Sequence, residues 1–129
     1  MRSMKTALIV AASMLTGIAL GGIGVHALHA QAKPPAYFVA ANEVSDMDGF
    51  NKQFGAPAQA SVKAHGGRIL AADKGTTLAG NLPTGRVAVL AFDNMDQLIA
   101  WYHSPEYQAA QRIGEKYAKF NQVAVEGIQ

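Results

Sequence analysis

Arg86-Val87-Ala88-Val89-Leu90-Ala91-Phe92 is the stretch that decides the fold. It follows the loop residues Asn81-Leu82-Pro83-Thr84-Gly85 and reads as the clearest strand in the chain. Successive side chains of a strand point to opposite faces, so a sheet covered on one side alternates apolar and polar residues. Val87 to Phe92 does not alternate; every position is apolar. Phe38 to Ala41, within the strand Ala36 to Val44 (AYFVAANEV), is apolar throughout as well. So is Val123 to Val125, within the strand Gln122 to Ile128 (QVAVEGI). Such strands need cover on both faces.

The segments between them are helical. Ser45-Asp46 supplies an N-cap, with Asp48 in the first turn, where the helix dipole favours an acid. Met47, Phe50, Phe54, Ala58 and Val62 then recur at three- and four-residue spacing and form one apolar face. Pro57 removes a backbone donor inside this run, which predicts a kink or break near Gly55. Gly66-Gly67 ends the helix, because the residue after the cap favours positive φ. Arg68 to Ala72 (RILAA) is a strand, Asp73-Lys74-Gly75 a turn, and Thr76 to Gly80 a short irregular hairpin arm. Asp93 or Asn94 caps a helix whose face is Met95, Leu98, Ile99 and Tyr102. Ser104-Pro105-Glu106 restarts it with an N-cap, a proline at N1 and an acid at N2. Tyr107, Ala110, Ile113 and Tyr117 then face inward, with Glu115 and Lys119 as an exposed i,i+4 pair. The order β-α-β-β-α-β describes an α+β ferredoxin-like domain, a four-stranded antiparallel sheet with helices on one face. Helices on one face leave the other apolar face bare, and a second copy of the same sheet is the simplest cover. The expected assembly is therefore a homodimer through the sheet.

The chain's 129 residues leave room for one domain, and half of them are apolar. Met1 to Lys5 carries Arg2 and Lys5, and Thr6 to Val25 (TALIVAASMLTGIALGGIGV) has no charge. Ala30-Gln31-Ala32 follows as the best cleavage site, with Val25-His26-Ala27 second. Residues 1–32 thus read as a secretory signal peptide and 33–129 as the domain, exported to the periplasm. An uncleaved N-terminal anchor is the alternative, since about 20 apolar residues span a bilayer, and Gly17 and Gly21 would let two anchors pack. His26 with His29, and Gly21-Gly22-Ile23-Gly24, lack the context that metal or nucleotide chemistry needs. Eleven basic residues less the two in the leader leave nine against nine acidic ones. A neutral domain is no nucleic-acid binder, because cationic neutralisation of phosphate supplies most of that affinity. The chain has no cysteine, so core and partner must hold it without disulfides.

AYFVAANEV, KAHGGRIL, GRVAVLAF and especially AWYHSPEYQAA resemble a bacterial family of domains of unknown function, numbered 1330, in the dimeric α/β barrel superfamily. The resemblance runs from Ala36 to Gly127, and Gly66-Gly67-Arg68 and Ser104-Pro105-Glu106-Tyr107 are its most specific parts. It implies the ferredoxin-like fold and a barrel closed by two sheets. It implies no reaction, so no catalytic residue is carried over. Many members have a polar arm where this chain has Thr76-Thr77-Leu78-Ala79-Gly80. The wider superfamily includes cofactor-free monooxygenases, isomerases and haem-handling enzymes, an analogy of fold only.

Six residues stand out as ligand-binding candidates: Glu43, His65, Arg68, Trp101, Tyr107 and Arg112. His65 and Arg68 flank Gly66-Gly67 and would pair a general base with an anion-holding guanidinium. Alternatively, His65 only complements the helix dipole and Arg68 pairs with a nearby carboxylate or carbonyl. Trp101, Tyr102, His103 and Tyr107 cluster at the helix break and would stack a flat organic ligand; the alternative is that Trp101 and Tyr102 pack the core. Tyr107 with Arg112 would serve a ligand or tie two helices. Asn42 and Glu43 end the first strand, where Glu43 would face a cavity or else meet solvent or Arg86. The two histidines beyond the leader lie far apart without carboxylates at ligand spacing, so no metal site is expected. Nucleophile elbow, phosphate loop and cysteine nucleophile are absent, and no cofactor is implied. Three functions fit. The domain binds a small organic molecule between sheet and helices, acts as a cofactor-independent oxygenase or isomerase, or is a structural dimer without a ligand.

Overall fold

A computed structural model describes residues 33–129; the leader, with its cleavage and anchor readings, lies outside the described residues. Strand β1 (Ala36–Val44) occupies the middle of an antiparallel sheet. On one side it pairs with β3 (Arg86–Phe92), which in turn pairs with β2 (Arg68–Asp73). On the other it pairs with β5 (Gln122–Glu126) over Ala36 to Ala40 and with the two-residue β4 (Ala118–Lys119) at Glu43 and Val44. The β-α-β-β-α-β order is present, with β4 as an added fifth strand. The class is α+β with a ferredoxin-like arrangement and helices on one face.

Helix α1 is built in three consecutive segments, Met47–Gly49, a π-helical Phe50–Gly55, and Ala56–Ala64. Asp46 caps it, its Oδ1 accepting from the Gly49 N–H at 3.1 Å. No break occurs at Pro57, because the wider π turn precedes it: residues 50, 55 and 56 all keep helical dihedrals. The proline is the second residue of the last segment, so its missing N–H falls where hydrogen-bond spacing changes from the π turn to the α-helix. The helix ends at His65 and Gly66, with φ +76° at the glycine. Gly66 N–H donates to the Lys63 carbonyl and Gly67 N–H to that of Val62, closing a Schellman motif. The two glycines serve different ends. A Cβ on Gly67 would stand 2.5 Å from the Phe92 ring, so this glycine lets the chain pass close to β3.

Helices α2 (Met95–Tyr102) and α3 (Pro105–Gly114) are the expected broken pair, capped by Asn94 and Ser104. Leu98, Trp101, Tyr107 and Ala110 are buried. Met47, Ile99 and Ile113, expected on inward faces, are 39%, 43% and 38% exposed. The apolar stripes are therefore narrower than the sequence pattern suggested. Thr76 to Gly80 forms no strand. Nor do Glu115 and Lys119 make a helical pair: the helix stops at Gly114, whose carbonyl accepts from Tyr117 N–H, and Lys119 lies in β4.

Strand β2 holds one extra residue. Ile69 pairs with Leu90 and Ala71 with Val89, so Leu70 is bulged out of the ladder. Between sheet and helices lies the core, centred on Phe38, Phe50, Leu90, Phe92, Leu98, Trp101 and Tyr107.

Candidate functional site

On β1 the residues facing the helices are Phe38, Ala40 and Asn42. Register places Leu90, Ala88 and Arg86 of β3 across from them, and Gln122 of β5 across from Ala40. The helix-facing side of the sheet is thus apolar at one end, while Asn42, Arg86 and Gln122 gather at the other. Above it runs α1, presenting Phe50, Phe54 and Gly55 of its π turn, then Ala58 and Val62. Trp101 and Tyr107 close the far side. Together these residues enclose a cavity of about 70 Å³, open on one side, with exposed Gln59 and Ala72 among its lining residues. The π turn supplies part of the wall, as such turns often do at functional sites.

Its polar groups have defined partners. Trp101 Nε1–H donates to Ser61 Oγ at 3.0 Å, and that hydroxyl donates to the Ala58 carbonyl at 2.7 Å. Gln122 Nε2 donates to the Tyr107 hydroxyl oxygen at 2.9 Å. Burial pushes the Tyr107 hydroxyl above its ordinary 10.0, the Gln122 bond opposing the shift, so the phenol stays neutral. Asn42, 3% exposed, accepts at Oδ1 from Asn121 N–H at 3.3 Å, which orients its amide. Arg86 is half-buried, and among the described residues no carboxylate forms an ion pair with it.

Of the six candidates, Trp101 and Tyr107 line this cavity and come together, ring centroids 4.2 Å apart. The other four lie elsewhere. His65 caps α1 and sits 3.5 Å from the exposed Glu106 carboxylate at the start of α3. That carboxyl is held below its ordinary 4.5, first by a backbone hydrogen bond and next by His65. Arg68 and Arg112 are exposed. Glu43 is exposed opposite Lys119, on the other sheet face from Arg86. Among the described residues no cluster of three His, Cys, Asp or Glu could hold a metal ion. Sequence reasoning missed Asn42, Arg86 and Gln122 as one group. The available signal was a polar residue at the helix-facing parity of otherwise apolar strands.

The model of a family described as a domain of unknown function (DUF1330) matches residues 35–128. No curated protein matches the chain. Among solved structures, the fold resembles a protein of unknown function from Rhodopseudomonas palustris, at TM-score 0.60 and 10% identity over 81% of this chain and 92% of that one. SnoaB, a cofactor-independent oxygenase from Streptomyces nogalater, matches at TM-score 0.55 and 10% identity over 74% and 95% of the two chains. A dimeric protein of unknown function and ferredoxin-like fold from Bacteroides fragilis matches at 0.53 and 16% identity over 74% and 99%. At these identities the likeness is one of fold.

Proposed function

The chain belongs to the DUF1330 family, and from that premise we propose that it is an exported homodimer that binds a small organic molecule between its sheet and its helices. One observation carries the binding reading: an open cavity with apolar walls into which Asn42, Arg86, Tyr107 and Gln122 converge. Apolar surface with a few convergent polar groups is the usual composition of a small-molecule site. Acid–base catalysis has less support. Among the described residues the lining holds no carboxylate or histidine, and burial raises the Tyr107 hydroxyl above its ordinary range, away from the neutral pH where a general base works best.

The dimer rests on the other side of the sheet. Tyr37, Val39, Val87 and Val89 share that face, and Val123 and Val125 extend it at 60% and 52% exposure. Among the described residues no helix packs there, and a second copy would bury it. The Bacteroides fragilis protein of similar fold is described as dimeric. Export rests on the leader at residues 1–32.

Native mass spectrometry of protein recovered from an exporting host tests the three parts together. The expected species is a dimer cleaved after Ala32 that releases a small molecule on denaturation. A full-length monomer that carries nothing, and that no small organic compound stabilises in a thermal-shift screen, would refute the reading.

A further inference from the structure

Three hydrogen-bond donors face the cavity described above, and none has an acceptor among the described residues. The first is the Arg86 guanidinium, which forms no ion pair. The second is the Asn42 amide nitrogen, on a lining residue whose Oδ1 accepts from Asn121 N–H. The third is the Tyr107 O–H, whose oxygen already accepts from Gln122 and whose own proton remains to be donated. A few polar groups that converge on an otherwise apolar pocket fix the orientation of what binds there. A partner complementary to three donors and one positive charge is an acceptor-only monoanion.

We propose, building on the binding function above, that the ligand is an apolar monocarboxylate, its charged end on Arg86, Asn42 and Tyr107 and its body against Phe38, Phe50 and Phe54. The planar guanidinium fork matches a carboxylate in two bonds. One cation balances one negative charge, which disfavours a phosphate dianion. Size agrees. A cavity of about 70 Å³ is roughly half the ~150 Å³ that admits benzene in an engineered core. By that ratio the chamber seats about three carbons of the chain, and the rest of a longer ligand extends past Gln59 and Ala72.

Isothermal titration of the purified protein with hexanoate and with hexan-1-ol, matched in length but not in charge, tests this. Hexanoate should bind about ten- to a hundredfold tighter, the effect of charge-assisted hydrogen bonds. Arg86→Gln should bring the ratio close to one, and Arg86→Lys should keep part of it. Equal affinities for the two compounds in the unaltered protein overturn the carboxylate assignment and leave the pocket standing; that comparison needs no variant to fold. A ratio unchanged in a folded Arg86→Gln protein does the same. Inorganic phosphate displacing hexanoate at similar concentration also overturns it, since the apolar body would then be idle. Failure of every compound to bind at millimolar concentration removes the pocket reading together with this one.

Discussion

Trp101 touches aromatic rings on three sides: Phe38 edge-on at 5.1 Å, Phe92 at 5.2 Å and Tyr107 at 4.2 Å between centroids. It is 1% exposed and its indole N–H is held by Ser61. Truncation opens a large void and removes that bond, so Trp101→Ala should cost about 3–5 kcal/mol, measured by urea unfolding. Glu106 gives a pH-dependent effect of defined sign. A carboxyl whose folded pKa is depressed contributes stability above its ordinary 4.5, and that contribution is lost as pH falls through the lower, folded value. Glu106→Gln should therefore lower the urea midpoint at neutral pH, and the gap from the parent should close in acid. Individual caps were legible because capping is local: Asp46, Asn94, Ser104 and Gly66 stand where side-chain chemistry alone assigns them. Asn42, Arg86 and Gln122 were not legible as a group. Their meeting depends on cross-strand register between residues more than forty positions apart in the chain.

Helix α1 shows where element-level reading stops. Pro57 correctly signals a disturbance near Gly55, but the chain resolves it with a π turn instead of a break. Hydrogen-bond spacing of that kind depends on what the helix packs against. Gly55 belongs to that turn without a steric need for glycine: the nearest atom to an added Cβ is the Phe50 carbonyl oxygen, 3.8 Å away. Gly55→Ala should thus raise stability by about 0.5–1 kcal/mol, because glycine loses more backbone entropy in a helix; chemical denaturation would show it. Gly55→Leu projects bulk toward the cavity, and the expected outcome is loss of ligand binding in a protein that still folds. The failed Glu115–Lys119 pair teaches a related lesson. Periodicity continued past Gly114, yet the last turn tightens at Tyr117 and the chain joins the sheet as β4.

The strand pattern at the level of the whole molecule was the strongest signal available. Apolar runs in β1, β3 and β5 require two covers, and the described residues provide helices on one face. Cover for the other face lies outside the described residues. If a second copy fills it, the interface should bury about 1,200–2,000 Å² and bind unfolding to association. The thermal midpoint should then rise with protein concentration. Val123→Glu places a charge on the bare face at a residue already 60% exposed in the single chain, so the monomer fold should survive. Light scattering on a sizing column should show halved mass for this variant, and its midpoint should not vary with dilution.

The bulge at Leu70 has a consequence for charge. Downstream of it Asp73 stands opposite Val87. Were Leu70 seated in the ladder against Val89, every later partner would slip by one place, and Asp73 would stand across from Arg86 on its own side of the sheet. The guanidinium would then be neutralised by a resident carboxylate. A single surplus residue turns that acid to the opposite side of the sheet from Arg86.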